Sequence, residues 1–317
     1  MRLPSIVCPE CLQAIESDEF EPALNKTGAT KASTYETCKR RCEACGFGFS
    51  NANHEDVSRL TIILREPFVG VPSAVCDGWH DVVPQAINRL NRASKKARFA
   101  SRNSEDHVTW TLFRHLQLSG SIAKALSGFL EGAPSCVNIP EPTMLLWGAP
   151  VPSDDAAGAG LVNRLKDVCR AIPEEAARFS EPDVILDFGD LGLVFIEVKL
   201  HSPNDRKPPD YSGWSKYLRG TSAFSDPQSV AATGLYELTR NWRLAWDLSD
   251  GRPIWLINLG PDELTSGDYG ALLRLWSECL AKDQRHRFVS LTWTQLLASI
   301  PSRPEWLDAY LTSRRVC

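Results

Sequence analysis

The chain has 317 residues, of which 43% are hydrophobic and 23% are charged. This composition is close to the globular average, and it excludes collagen-like, low-complexity and wholly disordered proteins. The formal net charge of −4 excludes a strong global attraction to nucleic acid or to an anionic membrane, so any such contact has to come from a local patch.

The length predicts about two domains. No stretch approaches the ~18 uninterrupted apolar residues of a membrane span, and the first residues lack the basic-then-apolar layout of a secretory signal. We therefore expect a cytoplasmic protein that has no membrane partner. Five of the ten cysteines fall within the first 45 residues, and this clustering indicates metal binding in a reducing compartment rather than disulfides.

Residues 1–60 are predicted to form a small zinc-ribbon domain. Two C-x2-C pairs, Cys8 with Cys11 and Cys42 with Cys45, supply four thiolates for a closed tetrahedral site, which predicts a structural Zn2+. The 30 residues between the pairs exceed the usual spacing of about 15–20, so a polar insert at residues 25–34 has to loop out. Cys38 could replace one ligand, but only the 8/11 and 42/45 combination gives two matched pairs, so we treat Cys38 as spare.

Residues 61–103 are predicted to be a helical and basic connector. Apolar residues at helical spacing over residues 82–91 indicate a helix there. A basic run without an intervening acid follows, and it leads directly into the main body of the chain. We expect these side chains to bind nucleic-acid phosphates, the alternative being a solvated connector: Arg92, Lys95, Lys96, Arg98 and Arg102.

Residues 104–317 are predicted to form an α/β domain. Periodicity and turn residues predict helices over residues 105–118, 160–172, 228–246 and 270–282. They predict strands over residues 143–148, 183–188, 192–199, 253–259 and 286–292. Helices that alternate with short apolar strands indicate a mixed β-sheet core flanked by helices.

Residues 181–200 contain two apolar runs joined by a turn with Gly and Asp, which predicts a β-hairpin. Residues 193–196 lack polar alternation, so we expect this strand to be covered on both faces. Glu197 and Lys199 are two residues apart, and the period of a strand puts both side chains on one face. Charges that end a covered strand are costly unless they are paired or bind a metal.

The length of the turn decides which aspartate joins this pair. A three-residue turn at residues 189–191 places Asp183 directly opposite Glu197, with Cβ atoms about 4.5–5.5 Å apart, so both carboxylates can hold one divalent ion. A two-residue turn would place Asp183 opposite Ile196 instead. Asp187 lies about 13 Å further along the strand than Asp183, beyond reach of the same ion.

The motif formed by Pro182-Asp183 and Glu197-Val198-Lys199 resembles that of the PD-(D/E)xK (restriction-endonuclease-like) nuclease superfamily. The resemblance covers roughly residues 104–292 and implies a core of a helix, a mixed sheet and a second helix. It implies that Asp183 and Glu197 bind Mg2+ or Mn2+, and that Lys199 orients or activates water for phosphodiester hydrolysis.

Many members of this superfamily carry a further acid on the first core helix. The matching residue here is Glu105, which the resemblance implies as a further catalytic residue and magnesium ligand, with Asp106 as the alternative. Ser104 is a good N-cap, and acids in a first helical turn are also favoured by the helix dipole alone.

These features predict a magnesium-dependent endonuclease that hydrolyses DNA, with RNA as an open alternative substrate. By analogy with the superfamily, a prokaryotic restriction or anti-phage defence effector is the favoured setting, and a repair or transposition subunit is the alternative. A second hypothesis is a zinc-ribbon nucleic-acid-binding module whose nuclease-like core is not catalytic. The modest negative charge also favours a homo-oligomer or a partner protein that brings the chain to DNA.

Overall fold

In the computed structural model, which describes residues 2–20, 32, 34–132 and 139–316, the strands form three sheets. Two small antiparallel sheets lie in the N-terminal unit, and they comprise β1 (Ile6–Val7) with β2 (Ala14–Ile15), and β3 (Arg40–Cys42) with β4 (Phe47–Phe49) and β5 (Ile62–Leu64). Because β5 is part of the second sheet, this sheet continues past residue 60, the expected end of the unit. Most of the polar insert expected at residues 25–34 lies outside the described residues.

The third sheet is the six-stranded core of the chain. Its strands are β6 (Thr143–Leu146), β7 (Ala149–Val151), β8 (Val184–Asp187), β9 (Leu193–Val198), β10 (Ile254–Gly260) and β11 (Phe288–Thr292). The spatial order is β11-β10-β9-β8-β6-β7, in which β9, β10 and β11 are parallel and the remaining neighbours pair antiparallel. The sheet is therefore mixed, as the sequence predicts.

Helices cover both faces of this sheet. The helices are α1 (Ser73–Cys76), α2 (Trp79–Val82), α3 (Arg92–Arg98), α4 (Glu105–Leu118), α5 (Ile122–Leu126), α6 (Ala156–Ala171), α7 (Trp214–Leu218), α8 (Pro227–Thr233), α9 (Tyr236–Ser249), α10 (Gly267–Glu278), α11 (Trp293–Ser299) and α12 (Glu305–Ser313). Helices α4, α5, α11 and α12 pack on one face, and α6 to α10 pack on the other. Across the described part of the chain, none of these helices is both long and apolar enough to cross a bilayer.

Helix α4 has the bounds that the sequence predicts, because its start is specified locally. The Ser104 side chain caps the helix by accepting a hydrogen bond from the His107 amide at 3.2 Å. The single helix expected over residues 228–246 is wrong, because the chain breaks into α8 and α9 at Gly234. This glycine has φ +74°, and an added Cβ would lie 3.1 Å from the Lys207 carbonyl oxygen.

The helix expected over residues 82–91 is also wrong. Helix α2 ends at Val82, a short 3-10 turn covers Val83–Gln85, and the next helix, α3, begins at Arg92. The turn contains Pro84, whose ring cannot donate the backbone hydrogen bond that continues a helix. The basic run thus forms a separate helix of the connector, α3.

The β8–β9 hairpin has the predicted register. Val184 lies opposite Ile196 in the antiparallel pair, and continuing this register places Asp183 opposite Glu197. Its turn is one 3-10 turn over Gly189–Leu191, which is the expected three-residue connection. All six residues of β9 are buried, as expected for a strand covered on both faces.

The N-terminal unit is tied to the core through two buried arginines. The Arg314 guanidinium, just after α12, donates to the carbonyl oxygens of Ser101 and Pro67, both at 2.7 Å. Arg102 donates to Glu10 Oε1 at 2.9 Å and to the Ser313 carbonyl oxygen at 3.1 Å. Glu10 stands between Cys8 and Cys11, so this pair links the first C-x2-C turn to the segment that precedes α4.

We predict that Gly192→Ala destabilises the protein more than Gly189→Ala. Both glycines have positive φ, +124° at Gly192 and +65° at Gly189. A Cβ at Gly192 would lie 2.3 Å from the Pro253 carbonyl oxygen, whereas Gly189 has no atom within 4 Å of the added carbon. Urea unfolding should show a loss of more than about 2 kcal/mol for Gly192→Ala and about 1 kcal/mol for Gly189→Ala. Equal losses would contradict a specific role for the Gly192 contact.

Candidate active site and cysteine cluster

The four paired cysteines converge. The Sγ atoms of four residues all lie within 4.8 Å of one another: Cys8, Cys11, Cys42 and Cys45. The Sγ atoms of Cys8 and Cys45 are 3.9 Å apart, and those of Cys11 and Cys42 are 3.5 Å apart. The backbone amide of Gln13 lowers the pKa of Cys11 to about 7, whereas burial raises the pKa of Cys42 and of Cys45 when no metal is bound, so the convergence of the sulfurs carries the argument. The group can therefore hold a structural metal ion such as Zn2+.

Cys38 lies outside this group of sulfurs. Its thiol is buried against Gly48 and donates to the Thr34 carbonyl oxygen at 3.4 Å. Burial raises the pKa of Cys38 to about 12. A buried, protonated thiol away from the cluster is a packing residue, as the choice of the two matched pairs implies.

A cleft of about 1240 Å3 lies between the N-terminal unit and the core sheet. Its lining includes the acids and the lysine that the sequence singles out, together with several residues of α9: Glu105, Asp106, Asp183, Glu197, Lys199, Tyr236, Glu237 and Arg240. Ser50, Asn51 and Thr61 of the N-terminal unit form part of the opposite wall. The candidate catalytic residues thus face one open space.

Asp183, Glu197 and Lys199 meet at the end of the hairpin. The Val198 amide donates to Asp183 Oδ2 at 2.8 Å, and Lys199 Nζ donates to Glu197 Oε1 at 2.6 Å. The second Glu197 oxygen accepts from Asn241 Nδ2 at 2.6 Å. Glu197 is only 3% exposed, so these bonds fix the orientation of its carboxylate.

Burial dominates the electrostatics of the two hairpin carboxylates. Burial raises the pKa of Asp183 to about 7. Burial also raises the pKa of Glu197 well above its usual value, and the neighbouring carboxylates of Asp183 and Glu237 raise it further. Both shifts are those expected for buried carboxylates that lack enough positive charge around them.

Glu237, at the start of α9, is a site residue that the sequence analysis missed. Its Oε2 lies 2.8 Å from Lys199 Nζ, so the ammonium is held between Glu197 and Glu237. Burial opposes the charge of Glu237, but Lys199 and Arg240 outweigh it and lower its pKa to about 2. Burial likewise opposes the charge of Lys199, but the Glu197 and Glu237 carboxylates outweigh it and raise the pKa of the ammonium well above its usual value.

Of the two acids at the start of α4, Glu105 faces the hairpin. Its Oε1 accepts a hydrogen bond from the Leu200 amide at 3.0 Å. Asp106 is bound instead by Lys95, whose Nζ lies 2.5 Å from Asp106 Oδ1. Within the described ranges, only the four cysteines form a set of three or more ligating side chains within 4.8 Å of one another. The carboxylates of Glu105, Asp183 and Glu197 therefore do not all lie within 4.8 Å of one another, and the role of Glu105 as a third magnesium ligand stays a prediction.

Two residues of the basic run differ from the expectation of an exposed phosphate-binding face. Lys95 is buried. Its Nζ pairs with Asp106 and lies 3.7 Å from Glu181 and 4.6 Å from the Trp147 ring centroid. Arg102 is buried in its bonds to Glu10 and Ser313. Their charges are already compensated within the chain.

The side chains of the other three residues of the basic run are more exposed to solvent. Arg92 is half-buried and donates through Nε to the Ala86 carbonyl oxygen at 2.8 Å. Lys96 and Arg98 are exposed, and of the three only Arg98 lines the cleft. Sequence spacing could not separate these roles, because they depend on acids contributed by other elements.

Comparison with family models, curated proteins and solved structures finds no match to this chain. The case for its function therefore rests on its own residues and geometry.

We predict that the purified chain binds one zinc ion, which Cys42→Ala removes and Cys38→Ala retains. The first substitution deletes one of four converging sulfurs, whereas the second deletes a buried thiol that lies outside the group. Metal analysis by mass spectrometry should give a zinc-to-protein ratio near one for the wild type and for Cys38→Ala. Equal zinc loss in both variants would show that Cys38 is a ligand.

We predict that metal-free wild type loses stability relative to Asp183→Asn as the pH rises from about 4 to about 7. The pKa of Asp183 is near 4 when unfolded and about 7 when folded, so the folded state holds the extra proton in this range. The loss should not exceed about 1.4 kcal/mol per pH unit. Urea unfolding of both proteins without added divalent cation measures it, and parallel pH profiles would contradict the shift.

Proposed function

We propose that this protein is a metal-dependent endonuclease that hydrolyses DNA phosphodiester bonds. The observation that carries the proposal is the convergence of Asp183, Glu197 and Lys199 on the floor of one cleft, through a hairpin whose register sets their positions. The chain order of α4, the four antiparallel strands β6 to β9 with α6 between β7 and β8, then α9 and the parallel strand β10, is compatible with the helix, mixed sheet and helix of the PD-(D/E)xK superfamily. A role in prokaryotic restriction or anti-phage defence is the setting that this likeness favours.

Asp183 and Glu197 would hold Mg2+ or Mn2+. Their carboxylate oxygens are the ligands that such hard cations prefer, and two carboxylates are typical where the ion keeps waters and a substrate phosphate as its other ligands. The raised pKa values support this assignment, because a divalent cation would stabilise the charged carboxylates that burial disfavours. When bound, the ion would supply Lewis-acid stabilisation of the phosphate and a lowered pKa for water.

The side chains around the pair hold the groups in place. Asn241 and Lys199 each bind one oxygen of Glu197, which keeps the carboxylate in a single orientation. The Lys199 ammonium, kept charged by its two carboxylate neighbours, is a fixed positive charge for the phosphate oxygen on which negative charge develops. Glu105 accepts a hydrogen bond from the Leu200 amide and so stabilises the backbone directly after Lys199.

The rim of the cleft offers cations for the DNA backbone. Arg98, Arg178 and Lys216 line the cleft and are exposed. Acidic residues lie on the floor, so phosphates would be held at the rim while the reacting one meets the metal. Because the chain as a whole is acidic, we propose that a partner protein or a second copy strengthens DNA binding.

We predict that Lys199→Ala and Asp183→Asn each lower DNA cleavage in Mg2+ by at least about 100-fold. Asp183→Asn preserves side-chain volume and the hydrogen bond from Val198, so it tests the charge without removing the contact. Cleavage of plasmid and linear DNA, followed on gels, measures the loss, and Lys124→Ala, an exposed lysine on α5, should cut like the wild type.

A wild type that cuts neither DNA nor RNA, while it and the variants bind nucleic acid alike, would contradict the nuclease proposal. That outcome would favour a zinc-containing binding module with a non-catalytic core. Circular dichroism of each variant shows whether lost cleavage reflects lost folding, because Lys199→Ala leaves two buried carboxylates without their ammonium.

A further inference from the structure

An aromatic cluster forms one wall of the cleft. The Tyr236 ring lies at the centre of the cluster and contacts Tyr211, Trp214 and Tyr217 edge-on, with centroid distances of 5.3, 5.2 and 5.5 Å. Trp214 and Tyr217 are buried, whereas Tyr211 is 39% exposed and lines the cleft. Tyr211 is the only exposed Phe, Trp or Tyr in the part of the chain that the structure describes. Among the described residues, the one aromatic side chain in the exposed class thus lies inside the cleft that holds the candidate active site.

The Tyr211 ring is held in position. A Cβ at Gly213 would lie 2.3 Å from Tyr211 Cε1, so the ring lies directly over this glycine. The Tyr211 amide donates to the Pro208 carbonyl oxygen at 3.0 Å, and its own carbonyl oxygen accepts from the Trp214 amide at 3.2 Å. These contacts fix the ring before any ligand arrives, so little conformational freedom is lost on binding.

Cations line the same cleft as this ring, and the ring is close to the candidate catalytic residues. Lys216 and Arg178 are both exposed in the cleft lining, and Lys207 Nζ lies 5.9 Å from the Tyr211 ring centroid. Arg178 and Lys207 also pair with Glu175 and Asp205, at 3.5 and 3.0 Å. Tyr236, which contacts Tyr211, directly precedes Glu237, the partner of Lys199. A preset aromatic ring among cations is the combination with which proteins bind single-stranded nucleic acid, by stacking bases and holding phosphates.

We propose that Tyr211 stacks on an unpaired nucleobase and that the substrate of this cleft is single-stranded nucleic acid, or a single-stranded segment beside the scissile bond. The proposal rests on the nuclease function proposed above. In a duplex the faces of the bases are covered by their neighbours, and only base edges reach the grooves. A tyrosine face in the cleft therefore has a partner only where the strand is unpaired.

Binding without hydrolysis tests the stacking contact. The probe is a short oligo-dT strand with one 2-aminopurine, whose fluorescence is quenched on stacking, and binding of the full zinc-containing chain is followed without Mg2+. Stacking of one base predicts that Tyr211→Ala weakens single-strand binding roughly tenfold and lowers the quenching. Tyr211→Phe, which keeps the ring, should bind like the wild type, and the matching blunt duplex should bind all three proteins equally.

A second variant moves the ring without deleting it. Gly213 has ordinary helical φ and ψ of −66° and −17°, so Gly213→Ala leaves the backbone unstrained while its new methyl group displaces the Tyr211 ring. We expect this variant to reproduce the loss of single-strand binding. Gly160→Ala is the matched control, because it lies in α6 with no atom within 4 Å of the added carbon.

Each outcome has a distinct meaning. Equal weakening of single-strand and duplex binding, or no weakening in either Tyr211→Ala or Gly213→Ala, would overturn the stacking proposal even if the wild type cuts DNA. The predicted single-strand loss in a protein that never cuts would uphold stacking and contradict the nuclease function. A loss confined to an oligo-U RNA probe would uphold stacking on an unpaired base and reject DNA as the substrate.

Discussion

The arrangement of this protein depends on a group of charges at the end of a strand that is covered on both faces. Glu197 and Lys199 end β9, where neither can be solvated freely, so each needs partners supplied by other elements. Asp183 arrives from β8, and Asn241 and Glu237 arrive from α9. Burial raises the pKa of Asp183 and of Glu197 although the Lys199 ammonium lies nearby, and a divalent cation would favour the charged forms of both carboxylates.

The position of the N-terminal unit turns this group into the floor of a cleft. Arg102 links Glu10, within the first C-x2-C turn, to the segment before α4, and Arg314 ties the same segment to the C-terminal helix. A metal held by the four cysteines would therefore stabilise a wall of the cleft as well as a small sheet. Of these two arginines, Arg102 is the one that contacts the first C-x2-C turn directly, so loss of the metal would affect the cleft through this residue.

The cleft is divided into parts with different chemistry. Its floor carries buried acids suited to a cation, whereas its rim carries exposed cations and the preset ring of Tyr211. The proposed substrate, a polyanion with an unpaired base, would complement both parts, since its phosphates would meet the rim and one of them would reach the floor. The acidic net charge of the chain has little bearing on this match, because the relevant charges are local.

The sequence by itself determined the features that depend on neighbouring residues. The start of α4 follows from the Ser104 cap, and the period of a strand places Glu197 and Lys199 on one face. The sequence limits the residue opposite Glu197 to what the turn length allows, and the three-residue turn of the structure makes that residue Asp183. The C-x2-C spacing of the two cysteine pairs likewise predicts the four-cysteine group. Only the tertiary structure decided that Glu237 and Asn241 join the site, since α9 reaches it from about 40 residues along the chain. The tertiary structure also decided that Lys95 and Arg102 are buried in ion pairs and that Gly234 divides a helix. Burial and contacts with distant elements leave no periodic pattern in a sequence, so the sequence could not predict them.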